Sequence, residues 1–393
     1  MDFNVGLFEL LLLVSALVAM LVRRLHMPYS VGLVLAGISL SFLASSRFPE
    51  TPLNQDFIYN VLLPPLIFEA AFHMRWSEVR KDFAVVQTLA ILGVLLSTGV
   101  TAIGMHFLLH WEWISALLFG TLIAATDPVS VLATFKEAGV AGRFRHLMEA
   151  ESLFNDGTAA AGFRVLLALV AGTHVDLIDV LRISIVVLVG SVFCGLLIGN
   201  VVLSLVHRTD DHLVEITFAM IAAYGSFLLA ENLHLSGVLA TLVAGLVMGR
   251  HNTVNPLTGR GREAVETVLE YAVFAANSFI FLFIGIQQAR REYDTVWASI
   301  GIAIVVVMLS RAMTVYPCCT LFSRSSLRID VRHQHVLFWG GLRGALALAL
   351  AMGLPPEVPR REEIVTVCFS VVAFSIFVQG TTMATLLRRL RIA

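Results

Sequence analysis

Five charged side chains, Glu69, Asp127, Glu151, Asp156 and Arg343, lie inside otherwise apolar stretches, and each stands beside a backbone breaker or another member of the set. A charge near the centre of a bilayer costs about 2.5–3.5 kcal/mol on insertion scales, so one that persists there is a candidate for function. Carboxylate, hydroxyl and backbone carbonyl oxygens together suit a small hard cation. Burial favours the neutral form of a carboxyl group, whereas a nearby cation favours the ionised form, so one carboxylate can hold a proton and a cation in turn. Competition for such a site is enough to couple two opposed fluxes.

The surrounding sequence supplies partners and interruptions. In TLIAATDPVSVLATF, residues 121 to 135, Pro128 removes a backbone donor beside Asp127 and clashes with the preceding turn. Backbone groups freed in a membrane must face protein or a watery cavity. In EAESLFNDGT, residues 149 to 158, helical spacing sets Ser152 with Asp156 on one stripe and Glu151 with Asn155 on the next. In WGGLRGA, residues 339 to 345, Arg343 sits among glycines that permit unwinding. Its charge can neutralise a carboxylate or the negative end of a helix. LLPPLIFEAAF, residues 62 to 72, joins a proline break to Glu69, and His73 follows on the same face, either as an interfacial residue or as a modulator of Glu69. Glu9, Glu215 and Glu270 fall near the ends of apolar runs and read as interfacial or snorkelling residues. Cys194, Cys318, Cys319 and Cys368 lack metal-binding spacing and read as buried thiols.

The elements that position these groups follow from composition. Of 393 residues, 58% are hydrophobic and 14% charged, and the mean hydropathy is +0.84. Soluble domains carry about 25% charge and 45–50% apolar residues, so a membrane protein is implied. A net charge of −1 gives no sign of a nucleic-acid partner. The first apolar run has its positive charges after it rather than before it, which favours a membrane helix over a cleavable signal.

A membrane helix needs about 20 mostly apolar residues. Thirteen candidates lie near 3–22, 29–46, 57–74, 84–109, 112–135, 150–171, 178–206, 213–231, 235–249, 265–288, 294–322, 334–354 and 364–387. With the N-terminus outside, eighteen Lys and Arg fall in cytoplasmic loops against five or six opposite, which favours N-outside, C-inside and an odd number of spans. The fifth and twelfth spans then cross in opposite senses, and interrupted helices at matching positions of inverted halves mark a midplane ion site. The predicted organisation is one membrane domain over 1–393, with repeats at 1–171 and 213–387 joined by a span at 178–206 and no cytoplasmic domain after the last span.

Five stretches carry a family resemblance: LLPPLIFEAAF at 62–72, ATDPVSVLATFKEAGV at 125–140, ESLFNDGTA at 151–159, NSFIFLFIG at 277–285 and WGGLRGALALALA at 339–351. Together, and in order along the chain, they resemble the cation/proton antiporter-1 family, which includes the sodium/proton exchangers. The resemblance implies an all-α polytopic fold of about thirteen spans, with a core of spans four to six and eleven to thirteen and a dimerising interface from the rest. It further implies exchange of sodium or lithium for protons by alternating access in the cell (inner) membrane, by a homodimer, with no cofactor. By that resemblance Asp156 is shared by cation and proton, and Ser152, Glu69 and the Thr126 carbonyl are further ligands. Asp127 acts through water or as a helix-end charge. Arg343 is expected to pair with Glu151 and steady Asn155, and the Asn155-Asp156 pair resembles the electroneutral branch.

Arg164, eight residues past Asp156, has no place in those motifs; it can snorkel, answer Asp156, or answer another acid. Sensing of pH falls to the site itself or to His146, His207 and His212. A potassium/proton or broadly selective exchanger fits the same oxygens, and a channel would show flux without counter-transport. An intramembrane aspartyl protease using Asp127 and Asp156 as a dyad lacks its GxGD pattern.

Overall fold

The computed structural model describes residues 5–25, 27–43, 57–127, 131–132, 134–135, 138–140, 142–171, 177–250, 259–290 and 296–392. Among the described residues all regular structure is helical. The chain runs through α1 (Val5–Leu25), α2 (Tyr29–Leu43), a π-helical turn at Ile58–Leu62 and α3 (Leu63–His73). It continues through α4 (Phe83–Leu109), α5 (Trp113–Ala124), α6 (Arg143–Ala171), α7 (Leu177–Val206), α8 (His212–Asn232), α9 (Gly237–Met248), α10 (Gly259–Arg290) and α11 (Trp297–Leu321). The last segments are α12 (Val331–Trp339), α13 (Ala345–Met352) and α14 (Arg361–Leu390). Among the described residues seven helices, α4, α6, α7, α8, α10, α11 and α14, are long and apolar enough to cross a bilayer. Parts of α1, all of α2, α5 and α9 are shorter apolar helices.

Local chemistry explains several boundaries. Asp211 caps α8 by accepting the Leu213 amide at 2.9 Å, and Ser236 caps α9 by accepting that of Leu239 at 3.3 Å. Pro64 and Pro65 follow the π-helical turn within one continuous helical run from Phe57 to His73, and the Val61 carbonyl just before them accepts the Tyr224 hydroxyl at 2.9 Å. Two further π-helical stretches, Thr88–Leu92 in α4 and Ser375–Gly380 in α14, lie within long spans.

Two interruptions shape the centre. α5 ends at Ala124, and Ala125, Thr126 and Asp127 are non-helical. Pro128, the expected cause of that break, lies outside the described residues. α12 and α13 are separated by Gly340 to Gly344, so the span predicted over 334–354 is likewise split. Helices pack as two groups: α4, α5, α11, α12, α13 and α14 in one, and α1, α2, α3, α7, α8, α9 and α10 in the other. α6 touches both, lying on α4 and α5 and also on α7 and α9.

Within the second group α2 and α10 approach until their backbones touch. A methyl at Gly37 would meet the Leu282 carbonyl and the Gly285 Cα, and one at Gly285 would meet the Val34 carbonyl. Small residues permit such approach in a bilayer, where packing rather than hydrophobic exclusion holds helices together. Gly285→Val is expected to destabilise the protein by about 1–3 kcal/mol, the usual cost of overpacking. Thermal unfolding followed by size-exclusion chromatography in detergent measures this against Gly301→Val, whose added methyl meets no atom.

Candidate functional site

Residues from five segments converge where the broken helices meet. The Asp127 amide donates to the Leu342 carbonyl at 2.7 Å, a direct backbone link between the two breaks. A methyl at Gly344 would collide with the Asp127 side chain, so glycine there allows the carboxylate to lie against the start of α13. The Arg343 guanidinium crosses the other way and donates to the Ala125 carbonyl at 3.2 Å, at the end of α5. Each break therefore sends a charge toward the other's helix terminus with the sign that its dipole favours: negative at an N-terminus, positive at a C-terminus. The Arg343 amide reaches the Ser375 hydroxyl at 3.1 Å, at the start of the π-helical stretch in α14. Widened helical turns of this kind recur at functional sites.

Polar residues of α6 close the arrangement. The Ser152 hydroxyl donates to the Thr126 carbonyl. Asn155 accepts the Thr126 amide at 3.2 Å and donates to the Thr126 hydroxyl at 2.7 Å and to Glu151 Oε1 at 3.3 Å. Ser152, Asn155 and Glu151 are all buried, and this network fixes the non-helical Thr126 that α5 alone could not hold. Asp156 lies next to Asn155 and one turn beyond Ser152. Its Oδ1 is buried and has no hydrogen-bond partner, and the negative charges of Asp127 and Glu151 act on it.

A cavity of about 810 Å³ leads to this carboxylate. Arg75, Arg145, His146 and Glu149 line one part of it, and Thr126, Asp127, Ser152, Asp156, Glu69 and Asn277 line another. Asp156, Ser152, Thr126, Asp127 and Glu69 thus line one cavity, whereas Glu151 and Asn155 are not among its lining residues. Glu69 comes with a partner: His73 Nδ1 lies 3.2 Å from Glu69 Oε1 and 3.0 Å from the Glu69 carbonyl. His146 stands 3.5 Å from Glu149, which also binds Arg145 at 2.8 Å.

One expected pairing is corrected. Glu151 forms its ion pair with Arg311 of α11, at 2.8 Å, and not with Arg343. Arg311 is 6% exposed and also donates to the Leu337 carbonyl at 3.1 Å. The reason is reach. Arg343 lies beside the end of α5 and is taken up by the Ala125 carbonyl, while α11 delivers a cation directly to Glu151. Asn155 is accordingly steadied by Thr126 and Glu151. Arg311 was legible as a charge within an apolar span, but it lacks the flanking breakers that single out Arg343. Asn277 opens one of the quoted motifs, and the structure gives it a place in the cavity wall. Glu215 is fully buried in the first turn of α8 instead of snorkelling, whereas Glu9 and Glu270 are exposed. Arg164 answers Glu231, not Asp156.

The chain matches the family model described as "Sodium/hydrogen exchanger, transmembrane" over residues 10–389. The Na(+)/H(+) antiporter ApNhaP of Aphanothece halophytica is 36% identical over 367 residues, covering 93% of this chain and 70% of the relative. The low-affinity Na(+)/H(+) antiporter NhaS1 of Synechocystis is 34% identical over 399 residues, covering 99% and 75%. The Na(+)/H(+) antiporter NhaH of Halobacillus aidingensis is 31% identical over 399 residues, covering 98% and 97%. The solved sodium proton antiporter MjNhaP1 of Methanocaldococcus jannaschii at pH 8 superposes with a TM-score of 0.78 at 20% identity, covering 98% of each chain, a likeness of fold.

Removing one member of a buried ion pair strands the other and typically costs about 3–5 kcal/mol. Arg311→Ala should therefore lower the thermal unfolding temperature markedly, and the double variant Arg311→Met, Glu151→Leu should recover much of the loss. Equal instability of single and double variants, measured by differential scanning fluorimetry in detergent, would contradict the pairing.

Proposed function

Because the chain belongs to the sodium/hydrogen exchanger family, we infer that it is a membrane antiporter exchanging sodium for protons, a secondary transporter and not an enzyme. We propose further that it exchanges one sodium or lithium ion for one proton by alternating access at Asp156. The observation that carries this reading is the buried, unpartnered Asp156 Oδ1, on a carboxylate in the wall of a cavity that also contains Ser152 and Thr126.

Charge balance supports the stoichiometry. Glu151 pairs with Arg311, and Arg343 and Asp127 each lie against a helix terminus of the sign that suits them, so these four fixed charges are each compensated. Asp156 is the fifth charge, and either one proton or one monovalent cation neutralises it. A carboxylate left ionised and empty would be costly to carry through a low-dielectric barrier. The core moves when the site is filled by one species or the other, giving exchange without leak. Ser152 and the Thr126 carbonyl would complete the oxygen set for the cation, with Glu69 reaching it from the cavity wall and Asp127 acting through water.

In the proposed topology the N-terminus lies outside and the C-terminus in the cytoplasm, in the cell (inner) membrane. The basic residues Arg75 and Arg145 in the cavity wall then make it inward-open. The helices that make up the two breaks and their supports, α4 to α6 and α11 to α14, would form the moving core of thirteen spans. The remainder would anchor a homodimer; no nucleic acid is involved. Repeats at 1–171 and 213–387, linked by α7, would place the two breaks in equivalent positions.

Asp156→Asn keeps the side-chain volume and removes the titrating charge. In proteoliposomes with an imposed pH gradient, this variant should show no sodium- or lithium-driven dissipation, a loss of at least about 100-fold, while the folded yield is retained. Retained proton-coupled flux would refute the shared site. Equal dissipation by potassium would instead assign a broadly selective exchanger.

A further inference from the structure

Arg164 takes no part in the site just described. It lies eight residues beyond Asp156 on α6, about 12 Å along the axis at 1.5 Å per residue, on the side away from the residues of the cavity mouth. Its guanidinium pairs with Glu231, at the end of α8. Glu231 is held from two further directions. Its Oε1 accepts the Tyr59 hydroxyl at 3.0 Å and the Gly237 amide at 2.9 Å, the latter from the first turn of α9. The Tyr59 ring in turn packs edge-on against the buried Phe227 at 5.2 Å.

The cluster therefore has one member on α6 and every other member on the helix group to which α6 is not tied by the two breaks. Between Asp156 and Arg164 the same face of α6 is closed by apolar side chains: a methyl at Gly157 would lie 3.1 Å from Leu239 and 3.3 Å from Leu242. The wall of the cavity includes Asp156 but neither Arg164, Glu231 nor Tyr59. An ion pair that bridges two helix groups at one end, with an open cavity at the other, is placed to hold one access state.

We propose that the Arg164–Glu231 pair is a latch that keeps the membrane face opposite the cavity closed, and that it must part each time Asp156 opens to that face. Tyr59 and the Gly237 amide keep the Glu231 carboxylate in place while Arg164 leaves, so the latch can re-form. The inference rests on the antiport reading for its meaning in the cycle, but not for its geometry.

The test reads access rather than transport. In a background with the four native cysteines replaced, Leu239→Cys reports on the closed face and His146→Cys on the cavity mouth. A membrane-impermeant maleimide is applied to each side of proteoliposomes in turn. With Arg164→Gln or Glu231→Gln, labelling at Leu239→Cys from the face opposite the cavity should rise about 3-fold to 15-fold, the span expected from polar contacts between membrane helices. Labelling at His146→Cys should fall by the fraction of protein that the new opening removes from the cavity-side state, a smaller proportional change where that state dominates. Arg164→Lys, which keeps a cation opposite the Glu231 carboxylate and leaves its Tyr59 and Gly237 donors in place, should return both towards the starting values. Unchanged labelling in the Gln variants, with monodisperse folded protein, would overturn the latch. A labelling shift in protein that moves no sodium would sustain the latch and count against the antiport reading alone.

Discussion

A charge in a bilayer needs a counter-charge, and the centre of this protein is arranged around that requirement. Glu151 is answered by Arg311, and the carbonyl end of α5 by Arg343. The start of α13 lies against Asp127. Asp156 is left with a buried oxygen that no protein group satisfies. The helix breaks, the glycine at 344 and the polar face of α6 follow from this. They bring two helix termini together and supply each with a compensating charge, leaving one buried carboxylate oxygen without a hydrogen bond.

The same requirement separates the parts of the chain by role. The network of Thr126, Ser152, Asn155 and Glu151 is entirely buried and ties α5 to α6, so these elements move together if they move at all. Contacts from α6 to the other helix group are of another kind: apolar side chains of α9 against Gly157, and one ion pair to α8 beyond them. Packed side chains slide more readily than a saturated hydrogen-bond network breaks. The boundary along α6 is accordingly where relative motion is least expensive.

Much of this was legible in the sequence. The positions of the helices, the interruptions near Asp127 and Arg343, and the convergence of Ser152, Asn155 and Asp156 follow from hydropathy, glycine and proline placement, and helical spacing. What spacing could not decide was partnership across the bundle. The sequence reading gave Glu151 to Arg343 alone, and it is the packing of α11 against α4 and α12 that brings Arg311 to it instead. The partner of Arg164 was hidden for the same reason, since Glu231 stands at a helix end where charge is ordinary. Glu69 was visible as an acid beside a proline break with His73 on its face, and the structure brings the two into contact in the cavity wall.

The central claim is that one carboxylate serves proton and cation by turns. It is tested most directly by the sodium dependence of exchange at a series of pH values on the cavity side. Competition requires the apparent KM for sodium to rise about tenfold for each unit of acidification once the proton dominates the site, with the rate at saturating sodium unchanged. A KM that stays constant while the saturating rate falls would place proton and cation at separate sites and contradict the account.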